Sequence, residues 1–264
     1  MAEYSAKDVA ELRRRTGAGI LDCRQALQEN EGDIEAAGRW LVEQGKISAG
    51  KRADRERAEG AVAVVIDDNR GAIVALECET DFVAKSAEFV QLVDELAAEL
   101  AAGGEEALAA QRERVEKLAV TSKENVALGE TVRFVAAEGA VLDSYLHIQN
   151  GRGVNAVLVE IEGGGHELAH DIAVHIAFTR PEYLRREDVP AERVEAERQT
   201  AEAIARNEGK PEQALAKIVE GRLNGWFKER VLLEQPYVRD EKRTIKDLLG
   251  SAELRRFAQV VVGT

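Results

Sequence analysis

Apolar residues in the first 45 positions recur at helical spacing and predict three short helices. Ser5, followed three residues later by Asp8, forms a capping-box pattern that opens the first helix. Glycines within residues 16–19 end this helix, and the second and third helices are predicted over residues 20–30 and 34–44.

These three helices are predicted to share one small core. Gly45 closes the third helix, and residues 46–57 read as the linker that follows. Because about 40 residues support only a marginal unit, we expect an appended module, assigned with its linker to residues 1–55. The predicted core residues are Val9, Leu12, Ile20, Leu21, Leu27, Ile34, Trp40 and Leu41.

An internal repeat organises the next part of the chain. The pentapeptide AEGAV occurs at residues 58–62 and again at 137–141. After each copy come a strand-like run, a glycine-containing turn, a second apolar run and an amphipathic helix, which predicts a β-hairpin followed by a helix. The second strands are predicted over 72–79 and 154–162, the helices over 87–100 and 167–178, and a third strand for each half over 131–136 and 255–262.

The repeat predicts an α+β fold with a duplicated, two-lobed core of small antiparallel three-stranded sheets and flanking helices. The two core subdomains are assigned to residues 56–140 and 141–264. The second carries a helical hairpin, about residues 188–230, punctuated by Gly209 and Pro211.

The hairpin arms differ in their apolar content. The first arm has Val194 and Ile204 as its main apolar residues, and the second has a stripe from Leu215 to Phe227. One arm is therefore expected not to cover the other fully. Two alternatives follow: the hairpin projects and completes its burial against a partner or a second copy, or it packs on the parent sheet.

Charge and composition exclude several classes of function. Residues 1–55 are neutral, so the rest of the chain carries the whole net charge of −13, which disfavours nucleic-acid binding as the main activity. The N-terminus lacks the apolar region of a signal peptide, and no apolar run approaches the ~18 residues of a membrane span. With only two distant cysteines, Cys23 and Cys78, we expect a cytoplasmic protein with no membrane partner.

The sequence gives little support for a catalytic or metal-binding site. His166 and His170 are one helical turn apart and His175 is near, but no third ligand has a convincing spacing, so structural histidines are favoured. The two cysteines are expected to be inert buried thiols. Glu77 and Glu79 share one strand face and are expected to be solvated. No nucleophile–base pair is present, so no enzymatic activity, cofactor or metal is predicted.

One position points to a different kind of function. Phe82 lies in Thr80-Asp81-Phe82, where a strand ends and a helix is expected. An aromatic ring at a loop tip is costly to leave in water. The pattern alone leaves two alternatives open: Phe82 folds into this protein's own core, or it is presented to another protein.

Two segments carry a family resemblance. VAELRRRTGAGILDCRQAL, residues 9–27, and ETDFVAK, residues 79–85, resemble the signature segments of bacterial elongation factor Ts. The resemblance extends over essentially the whole chain, including GAVLDSYLH at 139–147 and EGR at 220–222. It implies a nucleotide-exchange factor for the GTPase elongation factor Tu, acting in translation elongation without catalytic chemistry or cofactor of its own.

The resemblance also implies a site. The Asp81-Phe82 tip is expected to enter the GTPase near its switch region and Mg²⁺ site, with the ring as a wedge and Thr80 and Val83 shaping the turn. His147 is expected to be a second contact from the other lobe, with a structural histidine on a strand as the alternative.

The N-terminal helices resemble a UBA-type module that docks on the GTPase through Arg13, Ile20 and Leu21. The sequence leaves open whether a single Tu–Ts pair or a dimer of such pairs forms. An adaptor that binds without stimulating nucleotide release is the alternative function, and an enzyme of another type is the third.

Three positions depart from the family's usual residues: Arg24 stands for Lys, Glu77 for Asn and Ala75 for a frequent Glu. None of them falls within residues 80–83. The helical C-terminal tail of some relatives is also expected to be absent, which puts any partner contact made by that tail in doubt.

Overall fold

The structure is a computed structural model that describes residues 4–50, 52 and 54–263, with only the backbone described for residues 46–50. Within these residues no helix is both long enough and apolar enough to cross a membrane. The chain forms an N-terminal helical module followed by a mixed α/β core with small antiparallel sheets.

Three helices form the N-terminal module: α1 (Ala6–Thr16), α2 (Ile20–Glu29) and α3 (Ile34–Gly50). The capping box is confirmed, because the Ser5 hydroxyl accepts from the Asp8 N–H and the Asp8 carboxylate accepts from the Ser5 N–H. The buried core consists of Val9, Leu12, Cys23, Ala26, Leu27 and Ala37.

Two predictions about this module are wrong. Ile20 and Leu21 are exposed, because the inward stripe of α2 is formed by Cys23, Ala26 and Leu27. Gly45 does not end the third helix, which continues to Gly50 into the predicted linker. A side chain at Gly45 would collide with Val120, so this glycine permits close packing instead of terminating a helix. Lys51 and Ala53 of the predicted linker lie outside the described residues.

The first half of the core contains one antiparallel sheet of order β1-β2-β3. Helices α4, α5 and α6 lie between its second and third strands along the chain. Its elements are β1 (Glu59–Asp67), β2 (Arg70–Cys78), α4 (Asp81–Ala84), α5 (Ala87–Ala110), α6 (Arg112–Ser122) and β3 (Ala127–Val135).

The second half repeats this arrangement with a longer insertion. Its elements are β4 (Ala140–Gln149), β5 (Arg152–Glu162), α7 (His166–Thr179), α8 (Ala191–Asn207), α9 (Glu212–Arg230), β6 (Pro236–Tyr237), β7 (Asp240–Thr244), α10 (Ile245–Leu249) and β8 (Glu253–Val261). The sheet has the order β4-β5-β8, while β6 and β7 pair separately. Each half therefore contains the predicted hairpin, helix and third strand; the bounds of the domains remain a prediction.

The two three-stranded sheets pack face to face. Along β2, alternate residues serve different cores: Val74 and Leu76 face helix α5, whereas Ile73 and Ala75 face the second sheet. Along β5, Leu158 faces the first sheet, whereas Val157, Val159 and Ile161 face α7. Both central strands are buried on both faces, which explains their nearly continuous apolar sequences.

The helical hairpin buries most of its apolar stripe, whereas Ile218 and Trp226 of α9 stay half-buried and Ile204 of α8 is exposed, so the cover is incomplete in part, as expected. Leu215, Val219, Leu223 and Phe227 of α9 are buried within this chain. Two buried alanines of α8, Ala201 and Ala205, provide the reason, since small side chains let paired helices approach closely.

Candidate functional site

The segment Thr80–Val83 forms a tight turn directly after β2. Thr80 is the N-cap of the short helix α4, and its hydroxyl accepts a hydrogen bond from the Val83 N–H at 3.4 Å. Threonine is a favoured residue at this position because its hydroxyl satisfies an otherwise unpaired amide of the first turn. The local sequence thus specifies this turn of residues Thr80–Val83, which is called the Phe82 turn from here on.

Phe82 is presented to solvent on this turn. Phe82 is 84% exposed, the largest exposed fraction among the exposed large apolar residues of the described chain. Its neighbours do the opposite: Ala84 is fully buried and Val83 packs partly against the core under the first sheet. Of the two alternatives for Phe82, the structure therefore excludes the core position.

Glu124 fixes the turn from another part of the chain. Its Oε2 accepts from the backbone N–H groups of Glu79 and Thr80, both at 3.1 Å, and its Oε1 accepts from the Thr80 hydroxyl at 2.6 Å. The next residue, Asn125, donates its backbone N–H to Glu79 Oε1 at 2.7 Å. The sequence analysis missed Glu124, since no local pattern connects residues 44 positions apart.

Asp81 is ionised beside Phe82. Its carboxylate pairs with the Lys85 ammonium at 2.5 Å, one helical turn along. This hydrogen bond, together with the charges of Lys85 and Arg152, lowers the pKa of the Asp81 carboxyl. A negative charge is therefore held next to the exposed ring at neutral pH.

Two arginines near this site form ion pairs with glutamates. Arg57 pairs with Glu77 at 3.1 Å and Arg55 with Glu79 at 3.4 Å. Both glutamates are partly buried, so the expectation that they are simply solvated is wrong. Each of these two cations therefore has a carboxylate partner within the chain.

The helical module exposes its predicted contact residues. Ile20 is 52% and Leu21 is 77% exposed at the start of α2, and Arg13 is exposed on α1. Their exposure contradicts the predicted core position of the two apolar residues. Lys123 joins this module to the core through an ion pair with Asp22 at 2.8 Å.

His147 lies exposed near the end of the edge strand β4, opposite Asn155 of β5. An ion pair and the strand pairing connect this end of β4 with the end of β2, where the Phe82 turn begins. Arg152, at the start of β5, lies opposite Gln149 near the His147 end of β4. Its buried guanidinium forms an ion pair at 2.5 Å with Glu59 of β1, and Glu59 lies opposite Cys78 at the end of β2. The His147 end of one sheet and the Phe82 turn of the other therefore lie at the same end of the core.

Comparison with known proteins identifies the family. The family model described as Elongation factor TS matches residues 79–264. Elongation factor Ts of Kineococcus radiotolerans is 45% identical over 261 residues, covering 96% of this chain and 95% of its own. Those of Renibacterium salmoninarum and a Nocardioides species are 43% and 46% identical, each with complete coverage of both chains.

The chain belongs to the elongation factor Ts family. The resemblance predicted from residues 9–27 and 79–85 is confirmed, and with it a role in protein biosynthesis as a nucleotide-exchange factor of translation elongation.

His166, His170 and His175 lie on α7, where each contacts a polar side chain of this chain. His166 and His170 place their Nδ1 atoms 3.3 and 3.0 Å from the two oxygens of Asp143. His175 is fully buried, with Nε2 2.9 Å from Gln235 Oε1. Among the described residues, no group of three or more His, Cys, Asp or Glu side chains is arranged to hold a metal ion.

Both cysteines are buried free thiols, as predicted. Burial raises the pKa of Cys78 to about 12 and also raises that of Cys23. Neither thiol is therefore available as a thiolate at neutral pH.

A cavity of about 790 Å³ lies between the helical module and α6. Its lining includes Thr16, Trp40, Val120 and Lys123, and none of residues 80–83. The Phe82 turn therefore lies outside this cavity, and its ring is presented to solvent.

Proposed function

We propose that this chain promotes GDP release from elongation factor Tu by inserting Asp81 and Phe82 near the switch region and Mg²⁺ site of that GTPase. The single observation that carries the proposal is the 84% exposure of Phe82 on a turn tied down by hydrogen bonds. A large exposed ring on a fixed backbone loses little conformational entropy on binding, and such rings serve as interface anchors.

Exchange requires a difference in affinity between two states of the GTPase. A factor that binds the nucleotide-free state better than the GDP-bound state weakens GDP binding by the same ratio. A ratio of about a hundred corresponds to about 2.7 kcal/mol, and one buried aromatic anchor supplies roughly 2–4 kcal/mol. The ring of Phe82 is sufficient if its pocket opens only when the nucleotide site is distorted, because equal binding to both states changes nothing.

Asp81 contributes charge in this proposal. Its carboxylate is ionised and adjacent to the ring, so insertion of the turn brings a negative charge to the polar network that orders the GTPase-bound Mg²⁺. Lys85 would remain as its partner within the chain.

The remaining contacts provide affinity. Arg13, Ile20 and Leu21 are each exposed on the helical module and are proposed to dock on the GTPase, and His147 is proposed as the contact from the second lobe. The exchange reaction is assigned to the cytoplasm, where translation elongation takes place, and needs no cofactor or nucleic-acid contact by this chain.

The test is release of a fluorescent GDP from elongation factor Tu, followed in stopped flow with excess unlabelled GDP. Catalytic amounts of this chain are expected to accelerate release and to act repeatedly. A stable complex whose release rate equals that of free elongation factor Tu would instead identify the chain as an adaptor and overturn the proposal.

A further inference from the structure

Glu124 lies in the segment that follows α6, after Lys123, whose φ of +61° turns the chain back toward β3. From there its carboxylate accepts three hydrogen bonds from the residues that open the Phe82 turn: two backbone N–H groups and the Thr80 hydroxyl. A carboxylate that accepts several N–H and O–H bonds is a strong and directional anchor.

The contact to the Thr80 hydroxyl determines how this residue caps α4. A hydroxyl has one hydrogen and two lone pairs. Because the hydrogen points to Glu124 Oε1, a lone pair is left to accept the Val83 N–H. Glu124 thus orients the group that closes the first turn of a four-residue helix, which is too short to be stable alone.

Phe82 depends on this backbone for its position. Its ring is mostly in solvent, so packing within the chain does little to fix it. The buried Ala84 and the half-buried Val83 pack the far side of the turn against the core, and Glu124 holds the near side.

We propose that Glu124 is a positioning residue for nucleotide exchange, holding the Thr80–Val83 turn in the conformation that presents Phe82 to the GTPase. This inference rests on the proposed function for its consequence in exchange, whereas the anchoring of the turn is testable in the free protein. Glu124 acts through Thr80 and needs no contact with the partner.

Three substitutions separate geometry from charge. Glu124→Ala removes both acceptors. Glu124→Gln keeps the length and one acceptor oxygen for the two backbone N–H groups, and its NH₂ group is able to donate to the Thr80 hydroxyl. Glu124→Asp keeps the charge but withdraws the carboxylate by one CH₂ group. Glu130→Ala, on the exposed side of β3, is the matched control for the loss of a carboxylate.

The first measurement is hydrogen exchange of the Glu79 and Thr80 amides in the free, folded protein. Glu124→Ala is expected to speed their exchange about tenfold, the change expected when a hydrogen bond to a charged group is lost. Unchanged exchange of these amides would overturn the anchoring role, whatever the activity on the GTPase.

The second measurement is the rate of GDP release from elongation factor Tu at saturating factor, together with the half-saturating concentration. We expect Glu124→Ala and Glu124→Asp to lower the maximal rate about tenfold with little change in half-saturation, and Glu124→Gln and Glu130→Ala to stay near the wild type. A maximal rate near the wild type for Glu124→Asp and a strongly reduced rate for Glu124→Gln would overturn a geometric role. If Glu124→Ala does not fold, the comparison of Glu124→Asp with Glu124→Gln tests the positioning role instead.

A double-mutant cycle with Phe82→Ala completes the test. If Glu124 acts through Phe82, Glu124→Ala costs little further rate once the ring is gone. An equal loss in both backgrounds would overturn the proposal. If the wild-type chain itself fails to accelerate GDP release, the proposed function fails, and the hydrogen-exchange result still decides the anchoring role.

Discussion

Replacing Phe82 by alanine is the most direct perturbation of the proposed site, because this ring contributes little to the protein's own core. With Phe82 84% exposed, the free energy of unfolding is expected to change by less than about 0.5 kcal/mol, the usual range for surface substitutions. The variant therefore separates exchange from folding.

The magnitude of the functional effect follows from the exposed area. A phenylalanine side chain offers about 200 Å², of which 84% is free here. Burial of that area in a partner at about 25 cal/mol per Å² is worth about 4 kcal/mol, and the alanine methyl retains roughly a quarter of it. The expected loss of about 3 kcal/mol corresponds to a reduction in stimulated GDP release of roughly 100- to 200-fold.

The assay compares wild type and Phe82→Ala for release of fluorescent GDP, and for affinity toward GDP-bound and nucleotide-free elongation factor Tu. The variant is expected to lose affinity mainly for the nucleotide-free state. Ile204→Ala, which removes an exposed apolar side chain from the hairpin, is the control and is expected to be fully active. Equal stimulation by wild type and Phe82→Ala would refute the wedge, and so would an equal loss of affinity for both nucleotide states.

Three further predictions concern other parts of the chain. Leu21→Ala is expected to weaken affinity for elongation factor Tu about tenfold, as for a peripheral apolar contact, while leaving the maximal release rate intact. Titration of the release rate with increasing factor checks this, with Gln28→Ala, at an exposed position of α2, as the control. An unchanged half-saturating concentration for Leu21→Ala would contradict it. Burial lowers the pKa of His175, so the unfolded state binds more protons, and the free energy of unfolding should fall as pH drops below about 6.5. Urea unfolding at pH 7.5 and 5.5 tests this, with a smaller difference expected for His175→Gln; an equal difference would contradict it. The pKa of Cys78 is raised to about 12, and both cysteines are buried. An aromatic disulfide reagent should therefore label neither thiol in the native protein and both in urea. Rapid labelling of the native protein would contradict the burial of these thiols.

Local sequence was sufficient wherever the deciding contacts are close along the chain. Ser5 and Asp8 form their capping box within one turn, and the strands of each hairpin pair around a short turn. The segment Thr80–Val83 likewise carries its own cap. Such features depend on backbone propensity and side chains three or four residues apart, which a linear pattern records.

Contacts between distant segments limited the prediction of the fold. Identical AEGAV segments behave differently: Gly60 lies within β1, whereas Gly139 has a φ of +81° in the turn before β4. Gly45 resembles a helix terminator, yet it serves close packing against Val120. The face-to-face packing of the two sheets, and the closure of the hairpin by Ala201 and Ala205, also depend on partners that no local pattern names.

By itself the sequence determined the type and order of the main elements, the duplicated core and the family, because periodicity, turn residues and motif segments are properties of neighbouring positions. Only the tertiary structure decided which apolar residues are presented. Phe82, Ile20 and Leu21 are as apolar as the residues beside them, and their exposure results from which face each neighbour turns to the core. Tertiary structure also brought Glu124 to Thr80, since a hydrogen bond between residues 44 apart exists only after the chain has folded around it.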